Sequence, residues 1–203
     1  MKNNDQLAIF NHVWDTAIYE LDRLKENVDY NSLESCIKLI TECKGRIITA
    51  GVGTSGAAAK KIAHSLSCIE RPAFFLDPGD AVHGALGSVQ SDDIAILLSK
   101  GGGTREILNT IPGLQAKKVP IIGITENTDS PLANQSTVHL KIAIEKEADE
   151  FNMLATTSTM MVIAVFDALC IVMMRMTGFS REQFAVIHPA GAVGERLLKG
   201  EKK

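Results

Sequence analysis

Two short segments rich in glycine and hydroxyl side chains are the first candidates for chemistry in this sequence. The first, Gly51-Val-Gly53-Thr54-Ser55-Gly56, directly follows an apolar, β-rich run. Glycines allow successive backbone N–H groups to converge on an anion, and the hydroxyls of Thr54 and Ser55 can donate further hydrogen bonds to phosphate oxygens. We therefore expect Gly53, Thr54 and Ser55 to contact a phosphate group.

The same segment also has the spacing of a dinucleotide-binding fingerprint. Asp77 lies 21 residues after Gly56, at the end of the next predicted strand, where such sites carry an acidic residue for the ribose. The adjacent hydroxyls of Thr54 and Ser55 suit phosphate oxygens better than a tightly packed pyrophosphate turn. A second loop of the phosphate-binding type also follows, which a dinucleotide site does not require, so a nicotinamide enzyme stays a third hypothesis.

The second segment is Ser99-Lys100-Gly101-Gly102-Gly103-Thr104, again directly after an apolar strand. Thr104 stands where it would cap the following helix, whose positive end favours an anion. A flexible turn with an ordinary threonine cap is the alternative. Three glycines between hydroxyls favour phosphate binding, with these candidate residues: Ser99, Lys100, Gly101, Gly102 and Thr104.

A third group of hydroxyls, Thr156-Thr157-Ser158-Thr159, opens the longest apolar segment. Alone it would be a helix N-cap with its neighbours. Beside two other hydroxyl-rich loops, Thr156, Thr157 and Ser158 are expected to form a third wall of the same pocket.

Four side chains are candidates for acid–base chemistry: Glu147, Glu106, His83 and His188. On spacing alone, Glu147 in the charged run after the last strand is expected to be a solvated surface charge. Glu106 lies in the first turn of a helix and can simply complement the helix dipole. His83 falls in a predicted helical segment, and His188 precedes Pro189, which would put it at the N-cap of a helix. A lone histidine is more often structural than catalytic.

The elements that would position these residues alternate along the chain. Apolar runs predict strands at 46–50, 73–76, 94–98, 119–125 and 138–142. Helical patterns cover 5–26, a segment from an N-cap at Ser32 to about Cys43, 55–69, 80–89, 104–117, 130–136 and a long stretch after Asn152. The alternation predicts an α/β fold with a doubly wound, five-stranded parallel sheet and helices on both faces. Ligands bind such sheets beyond the carboxyl ends of the strands, where all three hydroxyl-rich loops are expected.

Composition bounds the class of protein. The chain has 203 residues, 45% of them hydrophobic and 22% charged, which fits one domain over 1–203 with N-terminal helices at 5–43 and an α/β core at 45–199. A net charge of −3 gives no basic field for nucleic acid or a membrane surface. The four cysteines lack metal-site or redox spacing, so we expect buried thiols in a reducing compartment, and no metal ion or cofactor.

Two features bear on localisation. The N-terminal residues have no apolar core typical of a signal peptide, and a cytoplasmic protein is expected. The apolar run from Met160 to Met176 contains Asp167 and Arg175. It is also short of the roughly 20 residues that span a bilayer, so it is expected to be a buried or subunit-interface helix.

Several of these segments together resemble the sugar isomerase (SIS) domain family, in particular the SIS domain of arabinose 5-phosphate isomerases. The resemblance extends from about residue 30 to residue 199 and rests on the two glycine loops and these further segments: Val82-His-Gly-Ala-Leu-Gly87, Glu145-Lys-Glu-Ala148, Thr156-Thr-Ser-Thr159 and Ile187-His-Pro-Ala-Gly-Ala-Val-Gly194. It implies a five-stranded doubly wound fold, a homotetramer with sites at subunit interfaces, and aldose–ketose interconversion through a cis-enediol(ate). It also implies acid–base roles for Glu147 and Glu106, and ring opening or proton transfer by His83 and His188, the latter in a neighbouring subunit's site.

The sequence departs from that family's pattern at the two loops. Thr54 stands where these isomerases have a lysine, and Ser99-Lys-Gly-Gly-Gly103 replaces Ser-x-Ser-Gly-Glu, which removes a hydroxyl and a carboxylate. Lys100 is a new cation in the second loop, and Asp149-Glu150 replaces Cys-Pro. Many relatives also carry regulatory CBS modules after the SIS domain, and we expect none here.

Two hypotheses follow. The first is a phosphosugar aldose–ketose isomerase whose substrate need not be arabinose 5-phosphate. The second, motivated by the missing lysine and glutamate, is a non-catalytic protein that binds or senses a sugar phosphate or nucleotide sugar.

Overall fold

The computed structural model describes residues 3–190, and its strands and helices alternate as the sequence predicts. In chain order the elements are α1 (Asn3–Asn27), α2 (Tyr30–Glu42), β1 (Ile47–Gly51), α3 (Thr54–Ser67), β2 (Ala73–Phe75), α4 (Pro78–Ala81), a 3-10 turn (Ala85–Ser88), β3 (Ile94–Leu98), α5 (Arg105–Ala116), β4 (Ile121–Thr125), α6 (Pro131–Gln135), β5 (Val138–Lys141), α7 (Thr157–Thr177) and α8 (Arg181–Ile187).

The five strands form one parallel sheet in the order β2-β1-β3-β4-β5, which confirms the predicted fold class. The order reverses at β1, so the switch point of the topology lies between β1 and β3. There Gly51 pairs with Leu98, and both glycine loops therefore begin side by side at the carboxyl edge of the sheet. A crevice at this point is where doubly wound sheets bind their ligands.

Helices cover both faces of the sheet, which explains why its central strands are continuous apolar runs. Ile94, Ile96 and Leu98 of β3 pack into the core formed with α2, α3 and α7. Ala95 and Leu97 alternate with them and enter the second core, formed with α4, α5 and α6. All five residues of β1, of β3 and of β4 are buried. The loops at the carboxyl edge therefore start from strands that are packed in the core.

The structure corrects two local predictions. Asp29, not Ser32, caps α2: its carboxylate accepts hydrogen bonds from the backbone N–H groups of Asn31 and Ser32, and also one from the Ser32 hydroxyl. The segment 80–89 is not one helix but the short α4 and a 3-10 turn, separated by Gly84 at a φ of +114°. A left-handed glycine ends the helical geometry between them.

Helix α7 is the one helix of residues 3–190 whose length and composition would allow it to cross a membrane, and 39% of that stretch is buried in the fold. Its buried side includes Met161, Phe166 and Met173, whereas Met160, Ile171 and Met176 are exposed.

The four cysteines are all free thiols, and they differ in burial. Cys36 and Cys170 are buried as expected, but Cys43 and Cys68 are only half-buried. Burial raises the pKa of Cys36 to about 12 and that of Cys170 to about 11, so both are inert thiols at neutral pH.

Candidate active site

A cleft of about 70 Å³ lies at the carboxyl edge of the sheet, between the starts of α3 and α7. The structure brings part of each of the three predicted hydroxyl-rich loops to its wall. The sequence-predicted residues that line it are Thr54, Ser55, Ser99, Lys100 and Ser158. The convergence follows from topology, since parallel strands deliver their loops to the same edge.

The first loop is shaped by close contact between its own glycines. A Cβ atom on Gly51 would lie 2.6 Å from the Ser55 carbonyl oxygen, and one on Gly56 would lie 2.8 Å from the Gly51 carbonyl oxygen. Only hydrogen at both positions lets α3 start directly against the end of β1. Gly53, which has no side chain to cap the helix, occupies the N-cap position of α3, and Thr54 is the first helical residue. The first two residues of α3, Thr54 and Ser55, therefore lie on the wall of the cleft.

The second loop is held from inside and from the neighbouring strand. The hydroxyls of Ser99 and Thr104 lie 2.8 Å apart, and the Thr125 hydroxyl donates to the Lys100 carbonyl oxygen over 2.8 Å. Thr104 occupies the N-cap position of α5 as predicted, but its side chain makes no capping hydrogen bond. Gly102 has a φ of +71°, and a Cβ there would collide with the Ser130 hydroxyl.

Glu147 is a buried acid at this edge, and the expectation that it is a solvated surface charge is wrong. Its residue is 2% exposed. One carboxylate oxygen accepts hydrogen bonds from the backbone N–H groups of Thr156 (3.1 Å) and Ser158 (3.2 Å). The other lies 2.8 Å from the Lys100 ammonium and accepts a hydrogen bond from the Ser158 hydroxyl. The Glu147 backbone N–H donates to the Asn152 side chain at 2.6 Å, so both the carboxylate and the backbone of this acid are held.

The electrostatics of Glu147 are set by two opposing effects. Burial acts to raise the pKa of this carboxyl, but hydrogen bonds from Lys100 and Ser158, and the Lys100 charge, outweigh it and hold the pKa below the ordinary value of 4.5. Glu147 is therefore an ionised carboxylate at neutral pH, seated on the positive end of α7. It contacts two residues that line the cleft, Lys100 and Ser158.

The hydroxyl cluster at the start of α7 has a different geometry from the one its sequence suggests. Thr156 and Ser158 direct their N–H groups to Glu147, so the anion at this helix N-terminus is a carboxylate of the chain itself. Thr157 is buried and does not line the cleft, whereas Ser158 and Thr159 do.

None of the four acid–base candidates lines the cleft of this chain, although Glu147 contacts two residues that do. His83 is exposed in the turn after α4, and Glu106 is exposed in the first turn of α5. Within residues 3–190, neither side chain makes a hydrogen bond or an ion pair. His188 is at the C-cap of α8, which contradicts the prediction that it caps the start of a helix. Its ring stacks on Phe184 at 4.0 Å and its Nδ1 lies 3.1 Å from the Phe184 carbonyl oxygen.

Sequence reasoning missed two polar residues at the site, Thr125 and Asn152, and it gave Thr159 only as a member of the hydroxyl group 156–159. Thr125 and Thr159 line the cleft, and Thr125 ends β4, so its position at the carboxyl edge was a usable signal. Asn152 has a φ of +57° in the turn before α7, and no spacing rule connects it to Glu147. No cluster of three or more metal-ligating side chains occurs among the residues that the structure describes.

Comparison with protein-family models gives a match to the SIS domain over residues 39–171. The chain belongs to the SIS domain family. The match contains all five strands, both glycine loops and the segment that carries Glu147. It begins within α2, so α1 lies outside the matched residues.

Several curated relatives of this SIS domain are named arabinose 5-phosphate isomerases. The sequence is 38% identical to GutQ of Salmonella typhi over 181 residues, which are 89% of this chain and 56% of GutQ. It is 36% identical to KdsD of Pseudomonas aeruginosa over 178 residues, which are 88% of this chain and 54% of KdsD. The SIS domain described here thus spans about half the length of these relatives.

Solved structures of similar length superpose closely. The Listeria monocytogenes protein lmof2365_0531, named as a candidate sugar-phosphate isomerase, has a TM-score of 0.92 and 47% identity, covering 94% of this chain and all of that one. Escherichia coli CFT073 c3406, solved in complex with arabinose 5-phosphate, has a TM-score of 0.89 and 31% identity, covering 93% of this chain and all of that one.

Proposed function

We propose that this SIS domain binds a phosphorylated sugar and interconverts its aldose and ketose forms through a cis-enediol(ate). The observation that carries the proposal is Glu147, a buried, ionised carboxylate that contacts Lys100 and Ser158 on the wall of the cleft. The names of the relatives and the sugar-phosphate complex of c3406 support the same class of substrate. Arabinose 5-phosphate is therefore the first compound to test, ahead of other pentose and hexose phosphates.

The chemistry assigns Glu147 a defined proton transfer. An aldose becomes a ketose when a base removes the proton from C2 and returns a proton to C1, while a proton moves from O2 to O1. A fixed carboxylate directly behind the cleft residues Lys100 and Ser158 is the proposed base for the carbon-to-carbon transfer. Glu106 and His83 are proposed for the oxygen-to-oxygen transfer and for opening of a cyclic sugar.

The phosphate is proposed to bind at the first and second loops. Thr54 and Ser55 at the start of α3 line one side of the cleft and Ser99 lines the other. Gly101, Gly102 and Thr104 of the second loop are proposed to contact the phosphate from positions next to Ser99. Lys100 is engaged with Glu147, so its charge acts on the carboxylate as well as on an incoming anion.

We further propose that the site is completed by a neighbouring copy in a cytoplasmic homotetramer. A cleft of about 70 Å³ is small beside the roughly 300 Å³ and more of typical ligand sites. His188 does not reach it within its own chain, which is consistent with donation to another subunit's site. Exposed Phe10 and Trp14 on α1, and Ile171 and Met176 on α7, are apolar surface suited to self-association.

The test is solvent isotope exchange. Arabinose 5-phosphate and a panel of other pentose and hexose phosphates are incubated with the protein in D₂O, and deuterium at C1 and C2 is followed by NMR. We expect incorporation with at least one of them. If no sugar phosphate exchanges, the isomerase proposal is wrong.

A second function, binding without turnover, is favoured by a specific observation. Thr54 and Gly103 replace a lysine and a glutamate of the isomerase pattern, and the hydrogen-bond donors around Glu147 are already engaged. A sensor of sugar phosphates or nucleotide sugars would show ligand-induced thermal stabilisation with no deuterium exchange. Strong isomerase activity in Thr54→Lys but not in the wild-type chain would instead indicate an enzyme that has lost its activity.

A further inference from the structure

A second buried carboxylate, Glu20, lies on α1 and outside the segment matched by the family model. Glu20 is 1% exposed, and its side chain is fully covered. One of its oxygens accepts hydrogen bonds from the backbone N–H groups of Glu145 at 2.9 Å and Lys146 at 3.2 Å. The other lies 2.8 Å from the Arg23 guanidinium. A buried carboxylate with this set of partners has every donor it needs.

Two further contacts join α1 to the same short segment. Arg23 Nε lies 3.2 Å from one Glu145 carboxylate oxygen, and the Tyr19 hydroxyl donates to the other at 3.1 Å. Side chains from consecutive turns of α1 therefore bind both the backbone and the side chain of Glu145. The sequence separation between Glu20 and Glu145 is 125 residues, so this is a tertiary clamp and not a local turn.

The segment that α1 grips leads directly to Glu147. The backbone N–H of Lys146 donates to the Glu20 carboxylate at 3.2 Å, and the next N–H, that of Glu147, donates to the Asn152 side chain at 2.6 Å. Three consecutive N–H groups after β5 are thus fixed, two of them by Glu20. Since the segment 142–156 contains no helix or strand, these bonds define where the Glu147 carboxylate can point.

We infer that Glu20 is a positioning residue, which acts through the Glu145–Lys146 backbone to hold Glu147 in line with Lys100 and the start of α7. The inference deepens the proposed function and rests on it for its activity readout. Misplacement of a reacting group by about 1 Å can cost about 100-fold in rate. The phosphate-binding loops lie on other elements, so loss of the clamp should act on turnover more than on binding.

The test compares Glu20→Ala, Glu20→Gln and a matched control, Asp22→Ala, in the full chain. Asp22 forms an exposed ion pair with Lys25 on the same helix and touches no part of the site. Amide hydrogen exchange is measured at 145–147, with the amides of β1 and β3 as the internal reference. Steady-state kcat and KM are measured with whichever sugar phosphate the wild-type chain isomerises.

We expect Glu20→Ala to speed exchange of the Glu145 and Lys146 amides at least tenfold relative to β1 and β3, and to lower kcat at least tenfold with KM within twofold. Glu20→Gln, whose amide oxygen can still accept both N–H groups, should recover part of both losses. Asp22→Ala should match the wild-type chain.

Unchanged exchange at 145–146 in Glu20→Ala would overturn the inference, as would a rise in KM with kcat intact, or an equal loss in Asp22→Ala. If Glu20→Ala also speeds amide exchange in β1 and β3, then Glu20→Gln is compared with the wild-type chain instead, by the same amide exchange at 145–147 and the same kcat and KM. If the wild-type chain turns over no sugar phosphate, the proposed function fails on its own, and the exchange measurement still decides whether Glu20 holds the segment.

Discussion

The two glycine-rich loops meet at one edge of the sheet, yet their glycines are there for different reasons. In the first loop, Gly51 and Gly56 leave no room for a side chain, because α3 starts in contact with the end of β1. In the second, only Gly102 is confined, and a Cβ on Gly101 or Gly103 would have nothing within 4 Å. The first loop is fixed by packing at Gly51 and Gly56, and its third glycine, Gly53, has a φ of +60° that a side chain would strain. The second loop has open positions at Gly101 and Gly103, where chemistry can be changed without disturbing the fold.

The largest effect is expected from a methyl group in the first loop. Gly56→Ala would place a Cβ 2.8 Å from the Gly51 carbonyl oxygen, and backbone on both sides cannot move freely. Overpacking of this kind typically costs about 1–3 kcal/mol, and contact with backbone places this substitution at the upper end. Urea unfolding measures this loss of free energy. A Gly56→Ala chain as stable as the wild type would contradict the conclusion that the first loop is fixed by packing.

Removal of the second loop's cation should have the next largest effect. Lys100→Met leaves Glu147 without its ammonium partner, so the pKa of Glu147 rises toward or above its ordinary value. The acid limb in the pH profile of kcat/KM is then expected to move to higher pH. The value of kcat should fall about tenfold, which corresponds to roughly 1.4 kcal/mol in activation free energy. Lys38→Met, at an exposed position on α2, is the control, and equal pH profiles for the two variants would argue against a role for Lys100.

The same pair makes a prediction about stability. The folded-state pKa of Glu147 lies below its unfolded value, so its stabilising contribution is present above about pH 4.5 and is lost as pH falls through the lowered pKa. Lys100→Met should therefore lose more stability at pH 7 than at pH 3. Urea unfolding of both chains at the two pH values measures the difference, which would be absent if the ion pair did not form.

A smaller effect is expected from restoring an acid to the open part of the second loop. Gly103 has space for a side chain, so Gly103→Glu should fold normally and raise kcat severalfold if a carboxylate here assists proton transfer. Gly103→Gln has the same shape without the charge. A gain common to both variants would point to loop rigidity instead of acid–base chemistry.

The smallest effect belongs to Gly101→Ala. With no atom within 4 Å of the added Cβ, its free energy of unfolding should stay within about 0.5 kcal/mol of wild type. A loss as large as that of Gly56→Ala would show that the second loop is packed as tightly as the first.

The sheet and the meeting of the loops could be predicted because both follow from local patterns. Apolar runs marked β1 and β3, and parallel topology carries Thr54 and Ser99 to the same edge. The surroundings of Glu147 could not be predicted, since Lys100 lies 47 residues away in the chain and no local pattern links the two. His188 was misjudged for a similar reason: Pro189 suggested a helix start, whereas the capping box of Ser180 and Gln183 sets α8 before it.

The most direct measurement is deuterium exchange at C1 and C2 by the wild-type chain and by Glu147→Gln, each saturated with the same sugar phosphate, with Kd measured in parallel. The amide keeps the size of the carboxylate but cannot accept the C2 proton as a base. We expect exchange to fall at least 100-fold while Kd for the sugar phosphate changes only a few-fold. Exchange by Glu147→Gln at the wild-type rate would contradict the assignment of Glu147 as the group that moves the proton.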